Sequence, residues 1–275
     1  MSKKIKGKHV VVIGSGPSLK KNWDKINNFI KNNNVVIFGC NYITDFLIPD
    51  YHFWGSAKRW DAYGHLCDKK STIVISEHFL KKELRKHWKG SYKVFKNVQR
   101  LWKPGSDDKK SKEYERCCVR YKNGKMFGCV RDIGTWAIFY AYIKGANKIS
   151  VVGQDGYTLY SKKDLNSESE SQHCYGNGNT AGFTYRYSKR NDWFKYRSMK
   201  LLHKYGKKEY GFGFEIITPT IYRDFYNSDI LNIPEDPSWQ VWEEPNTEEE
   251  CNSLYFYKNI LDKKPSNFTD KWAKK

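Results

Sequence analysis

The stretch His9–Lys20, HVVVIGSGPSLK, constrains the fold more than any other part of the chain. Val10, Val11, Val12 and Ile13 form an unbroken β-branched run that stops at Gly-Ser-Gly-Pro-Ser. A short apolar run bounded by glycines reads as a strand buried on both faces. Helix-forming content follows in SLKKNWDKINNFIKNNN, closed by asparagines, and a second buried run, VVIFGCN, comes next. Strand, turn, helix, strand is a βαβ unit, and such a unit predicts a parallel sheet.

The rest of the chain extends that pattern. PDYHFWGS and STIVISEH read as further strands. Residues 103–125 are charged and rich in turn formers, which predicts a long surface excursion. DIGTWAIFYAYIKGANKISVVGQDGY reads as a cap (Asp132 or Thr135), an apolar helix stopped by Gly145, and a strand. Its QDGY segment falls at the carboxyl end of that strand, where open α/β sheets bind ligands. Residues 161–182 are polar and rich in Ser, Gly and Asn. RNDWFKYRSMKLLHKYG predicts a basic, aromatic helix capped near Asn191, and FEIITPT another strand. The expectation is one α/β domain over residues 1–275, a mostly parallel sheet with helices on both faces. A mobile lid is expected over 156–192 and an irregular extension over 230–275.

At 275 residues the chain can bury a substantial core. No run approaches the 18 apolar residues of a membrane span, and MSKKIKGKHV lacks the apolar core of a signal peptide. Seven cysteines without a CxxC pair argue against a disulfide framework or zinc ribbon. They read as reduced thiols of a cytoplasmic protein, free, peripheral to the inner membrane face, or in an infected host cell. The formal charge of +19 implies attraction to polyanions such as nucleic acid, acidic glycans or an anionic membrane face. The 39 lysines against 10 arginines, with abundant asparagine, also fit the codon bias of an AT-rich genome, so the charge does not name the partner.

The GSGPS turn lacks the third glycine of a dinucleotide loop and the Gly-Lys-Ser/Thr of a Walker loop. Gly14 and Gly16 permit close backbone approach, and Pro17 suits the first turn of a helix. The amides of Ser18 and Leu19 would then face a ligand, an arrangement that suits phosphate. The same residues also make an ordinary tight turn. Asn41, Asp155 and Tyr157 fall at the same sheet edge, at the ends of other strands.

Taken together, GSGPSL, FGCN, GTWAIFYAYIKGANKISVVGQDGY and the later QHCYGNG resemble the bacterial sialyltransferases of glycosyltransferase family 42. The resemblance covers residues 10–42 and 126–178. A wider group of GPSL proteins, including methanogen-type pterin diphosphokinases, shares the first turn. The resemblance implies a GT-A-like, Rossmann-like domain that transfers a sugar from a nucleotide-sugar to a hydroxyl, without a metal or other cofactor. Gly14, Ser15, Gly16, Pro17, Ser18, Asn41, Thr135 and Asp155 then fall at the donor, and Tyr157 on the tyrosine that stabilises the departing phosphate. Tyr160 is the nearest match to a second tyrosine. His173 inherits the role of general base, with Asp155 next in line; Asn177 occupies the position of the motif's second histidine. A base near neutrality and hydroxyls for the phosphate are also what glycosyl transfer requires on chemical grounds.

Residues 183–210 hold nine Lys or Arg against Asp192 and Glu209, interleaved with aromatics. Arg186, Arg190, Lys195, Arg197 and Lys200 are the expected acceptor contacts. The acceptor is then an anionic glycan or glycolipid, with peripheral membrane contact, or modified bases of DNA, as in phage-type glycosylation. A non-enzymatic nucleic-acid-binding protein on a nucleotide-binding fold is the reading from another class.

Overall fold

The buried runs become the centre of a nine-stranded sheet in a computed structural model that describes residues 3–98, 119–127, 132–157, 159, 173–174 and 185–235. The side chains of residues 98, 185–190, 193, 194 and 197 also lie outside that description. The strands are β1 (His9–Ile13), β2 (Val35–Cys40), β3 (Tyr51–Trp54), β4 (Thr72–Ser76), β5 (Tyr92–Val98), β6 (Arg120–Lys122), β7 (Lys125–Phe127), β8 (Lys148–Val152) and β9 (Glu215–Ile216). Their order is β6-β7-β5-β4-β3-β2-β1-β8-β9, and every neighbouring pair except β6–β7 is parallel. The α/β class expected from the sequence is the class observed. All described residues belong to a unit spanning Met1–Gln240; a second unit, Val241–Lys275, lies outside them.

Helices cover both faces because β1 is apolar on both. Val11 and Ile13 pack with Leu19 of α1 (Pro17–Lys21) and Ile26 of α2 (Trp23–Asn32). On the sheet, α5 (Ile133–Ile143) touches β1, β2 and β3, with Tyr140 edge-on to Phe53 at 5.4 Å. The shorter α3 (Ala57–Tyr63) and α4 (Lys81–Leu84) follow β3 and β4. Helix α6 (Tyr185–Tyr210) covers α5, so residues Gly134–Tyr142 are buried all round, and each large side chain among them contributes about 1.5–3 kcal/mol. The two helices approach closely at Gly206, where a Cβ would stand 2.3 Å from the Tyr142 hydroxyl. Asp132 caps α5 in a reciprocal box with Thr135, and Gly145 at φ +79° ends it.

Two expectations are corrected. The last part of the 103–125 excursion is structure: β6 and β7 form a hairpin whose two-residue loop, Asn123–Gly124, has positive φ at both positions. Helix α6 does not start near Asn191; it begins at Tyr185 and carries Asn191 inside it. Within the stretch expected to be irregular, Leu231 and Ile233 pack against the α1–α2 face. Residues 236–275, and most of the expected lid, lie outside the described residues.

Candidate functional site

Strand β1 has β2 on one side and β8 on the other, so the chain runs off in opposite directions from this central pair. Open α/β sheets bind ligands at the carboxyl ends of strands flanking such a point. A cavity of about 690 Å³ opens there, lined by Gly14–Gly16 after β1, Asn41 after β2, Ser56 and Arg59 after β3, and Gln154–Tyr157 after β8. Asp132 and Gly134 at the start of α5, Lys195 of α6, and His173 complete the part of the wall that concerns chemistry.

The glycine turn is built against the β8 loop. Gly14 N–H donates to Val152 O at 2.8 Å and Gly16 N–H to Gly153 O at 2.9 Å. A Cβ on Gly14 would lie 2.6 Å from Gly153 O, and one on Gly16 2.6 Å from the Asp155 carboxyl. These glycines are needed for loop-to-loop contact, whatever ligand enters. Asp155, 2% exposed, accepts Ser18 N–H at 2.7 Å and also the Ser18 hydroxyl. Burial pushes the Asp155 carboxyl up to about 7, against the pull of the Ser18 hydrogen bonds, Lys21 and Lys195.

The amides expected to meet phosphate are therefore already engaged: Ser18 N–H on Asp155, and Leu19 N–H on Gly16 O. Helix α1 has five residues, and neither Pro17 nor Ser18 lines the cavity. Thr135 is fully buried in its capping box and does not line it either. Ser15 and Gly16 do line it. Asn41 does too, holding a left-handed backbone (φ +57°) in which its N–H donates to Phe53 O and its carbonyl accepts from His52 Nε2.

His173 sits in the wall, 6% exposed, 3.3 Å from Ser15 Oγ through Nδ1 and 3.2 Å from Arg59 Nη2 through Nε2. A guanidinium only donates, so Nε2 is the accepting nitrogen and the proton sits on Nδ1, facing Ser15. Burial, then the charges of Arg59 and Lys195, push the His173 imidazole down to about 3. Arg59 was not legible as a site residue in the sequence. Ser56 caps α3, accepting Arg59 N–H, and thereby places Arg59 within the first turn after β3, at the ligand edge of the sheet.

Lys195, expected at the acceptor, lines the cavity with its ammonium 3.9 Å from the Tyr157 ring centroid. The Tyr157 backbone N–H donates to the buried carboxylate of Asp192 at 2.8 Å, which ties α6 to the β8 loop. Lys200 points elsewhere, 3.8 Å from Asp224 and outside the cavity lining. Tyr160, and the side chains of Arg186, Arg190 and Arg197, lie outside the described residues. Among the described residues no group of three or more His, Cys, Asp or Glu gathers as a metal site would require. Nor is any helix among them long and apolar enough to cross a membrane.

A parallel sheet with its pocket at the reversal of strand order, fed by a Gly-Ser-Gly turn, places the chain among doubly wound α/β proteins. More narrowly, it belongs to the 6-hydroxymethylpterin diphosphokinase MptE-like family, whose model matches residues 1–158. No curated protein matches the chain. Among solved structures it is similar to the MAf glycosyltransferase from Magnetospirillum magneticum AMB-1, at 14% identity and a TM-score of 0.40. That match covers 57% of this chain, which spans only 23% of the transferase.

Proposed function

We propose that the cavity binds a nucleotide-sugar and that the protein transfers the sugar to an acceptor hydroxyl, in the manner of the bacterial sialyltransferases it resembles. The observation that carries this reading is the convergence of Arg59, His173, Lys195 and Tyr157 on the Ser15–Gly16 turn. Two cations and a phenol in one pocket suit a phosphate that must leave with its electrons, and they do so without a metal. A buried imidazole beside them suits the proton of the acceptor.

The geometry suggests an order of events. Burial, and Arg59 on the Nε2 lone pair, hold the His173 imidazole non-basic. A donor phosphate competes for the guanidinium, and once Arg59 turns to it the Nε2 lone pair is released. The acceptor O–H proton then passes to Nε2 as its oxygen bonds the anomeric carbon. The anomeric carbon–oxygen bond to phosphate breaks, and the phosphate leaves toward Lys195 and the Tyr157 hydroxyl.

A second reading follows from the family match: a diphosphokinase moves a diphosphoryl group to a hydroxymethyl acceptor, and the same cations would hold its phosphates. A panel separates the two. Wild-type protein is incubated with CMP-, UDP-, GDP- and ADP-sugars plus oligosaccharide, glycolipid or modified-base DNA, and separately with ATP and 6-hydroxymethylpterin, each with and without EDTA. The glycosyl reading expects label from one nucleotide-sugar in a glycan, insensitive to EDTA. Label in DNA would move the acceptor. Diphosphorylated pterin with no glycosyl transfer would overturn the reading. In the active pairing, His173→Ala should lower turnover by about 100-fold or more while donor binding is kept.

A further inference from the structure

The wall of the cavity between β8 and the start of α5 carries polar atoms with no hydrogen-bond partner among the described residues. Gln154 is 8% exposed and lines the cavity, yet its side-chain amide makes no hydrogen bond to any described residue; only its backbone carbonyl is used, by Thr220 Oγ1 at 2.8 Å. Its Oε1 stands against the first turn of α5, where a Cβ on Gly134 would come within 2.9 Å of it. Beside it, Asp132 spends Oδ1 on the Thr135 N–H, while Oδ2 is buried with no hydrogen-bond partner among the described residues, and its charge helps to keep the Lys195 ammonium protonated. The first amides of α5 also lack intrahelical partners by geometry. Buried polar groups are otherwise almost always paired, so the unpaired Asp132 oxygen, beside a Gln154 amide that opens to the cavity with no protein hydrogen bond, marks a place that a ligand fills.

The chemistry of the pair narrows the ligand. Oδ2 can only accept, and it repels phosphate, which Arg59 and Lys195 attract instead. The Gln154 amide both donates and accepts. A group that satisfies both must present donors and acceptors side by side, as neighbouring hydroxyls on a sugar ring do. Trp136 lines the same cavity with only 4% of its surface exposed, stacked on Phe95 at 5.7 Å and on Phe139 at 6.4 Å between centroids, and gives that wall a rigid apolar edge.

We propose that Asp132 Oδ2 and the Gln154 amide form the subsite for the sugar of the donor, gripping adjacent hydroxyls while the phosphate lies on Arg59 and Lys195. This rests on the nucleotide-sugar reading above. It adds a direction for the donor in the pocket and two residues that set which sugar is accepted.

Calorimetric titration of the full chain tests it, with CMP-N-acetylneuraminate, UDP-glucose, GDP-mannose and ADP-glucose, each beside its free nucleotide. Asp132→Asn keeps Oδ1 for the helix cap and turns the accepting Oδ2 into a donor; Gln154→Leu keeps the shape and removes the amide. Circular dichroism confirms that each variant is folded. Both variants should weaken the nucleotide-sugar that wild type binds by about tenfold or more, and change affinity for its free nucleotide less than twofold. Equal losses for sugar-nucleotide and nucleotide, or no loss in Asp132→Asn, would overturn the subsite alone. An effect seen only in the KM for the acceptor would do the same. A wild-type protein that binds none of the free nucleotides would overturn the pocket reading itself.

Discussion

Asp155 is the residue whose replacement is most informative, because it holds the glycine turn to the β8 loop through a buried carboxylate. In Asp155→Ala the Ser18 amide and hydroxyl, on a fully buried residue, both lose their acceptor. Each buried unsatisfied group costs about 1–3 kcal/mol, so the variant should lose about 2–6 kcal/mol, a large share of a typical domain's stability. Asp155→Asn keeps one carbonyl oxygen for the Ser18 amide and offers an N–H to the Ser18 hydroxyl, which can accept. Both contacts survive. The pH dependence follows from the raised carboxyl, at about 7 in the fold against 3.8 for the free group. A folded pKa above the unfolded one means that the native state holds the proton more tightly. The contribution of Asp155 is therefore full below about pH 4, declines as pH rises through 7, and is flat above. A gap of about three units corresponds to about 4 kcal/mol. Asparagine behaves as a permanently protonated carboxyl and escapes that loss. The stability of wild type minus that of Asp155→Asn should accordingly fall by up to about 4 kcal/mol between pH 4 and pH 8 in urea unfolding. His173, pushed down to about 3, titrates with the opposite sign, losing stability as pH falls below 6.5, but it is common to both proteins and cancels. A pH-independent difference, or an Ala variant as stable as the Asn variant, would refute the reasoning.

Other perturbations read the same site. Gly16→Ala forces a Cβ to within 2.6 Å of the Asp155 carboxyl, and should cost about 1–3 kcal/mol and lower the melting temperature in a thermal scan; an unchanged melting temperature would show that the turn is slack. Lys195→Met keeps the stem over Tyr157 and deletes the charge that compensates Asp132 and Asp192, so nucleotide affinity by calorimetry should drop about 10- to 100-fold and the melting temperature should fall as well. Arg59→Gln removes the second cause of the depressed His173 imidazole, so its midpoint in an NMR titration should rise; a midpoint left where it was would mean that burial alone sets it.

The parts of this architecture that announce themselves locally were legible in the sequence. β1 and β2 are apolar runs, β8 is one broken only by Ser150, and such runs with helices between them leave little choice but a parallel sheet. The hairpin at Asn123–Gly124 was missed because the charge around it suggested a loop, although Asn-Gly between short strands is itself a strong turn signal. The start of α6 was misplaced because Asn191 suits a cap, whereas the structure continues the helix through it. Within the site, Gly14 and Gly16 line the cavity and also abut the β8 loop, a second close approach that one sequence cannot show. Arg59 and the pairing of Ser18 with Asp155 depend on contacts more than a hundred residues apart, which no local pattern encodes. The only hint to Arg59 was positional: Ser56 ends the β3 run and can start a helix at the ligand edge.

That separation bears on how the protein is made. Ser18 and Asp155 lie 137 residues apart, and β1 depends on β8 for its second edge. At a synthesis rate of about 5–20 residues per second, the glycine turn waits on the order of ten seconds for its partner loop. During that interval β1 and β2 can pair, but the edge that will receive β8 stays open on the ribosome. Long-range parallel closure is slow and exposes chains to aggregation, so this interval is when chaperones matter most to the protein. Limited proteolysis of chains stalled before and after residue 155 should show the turn becoming protected only in the longer set. Because a half-made chain has no finished cavity, any ligand that binds there can stabilise only completed molecules, and would reward the final closure rather than the early steps.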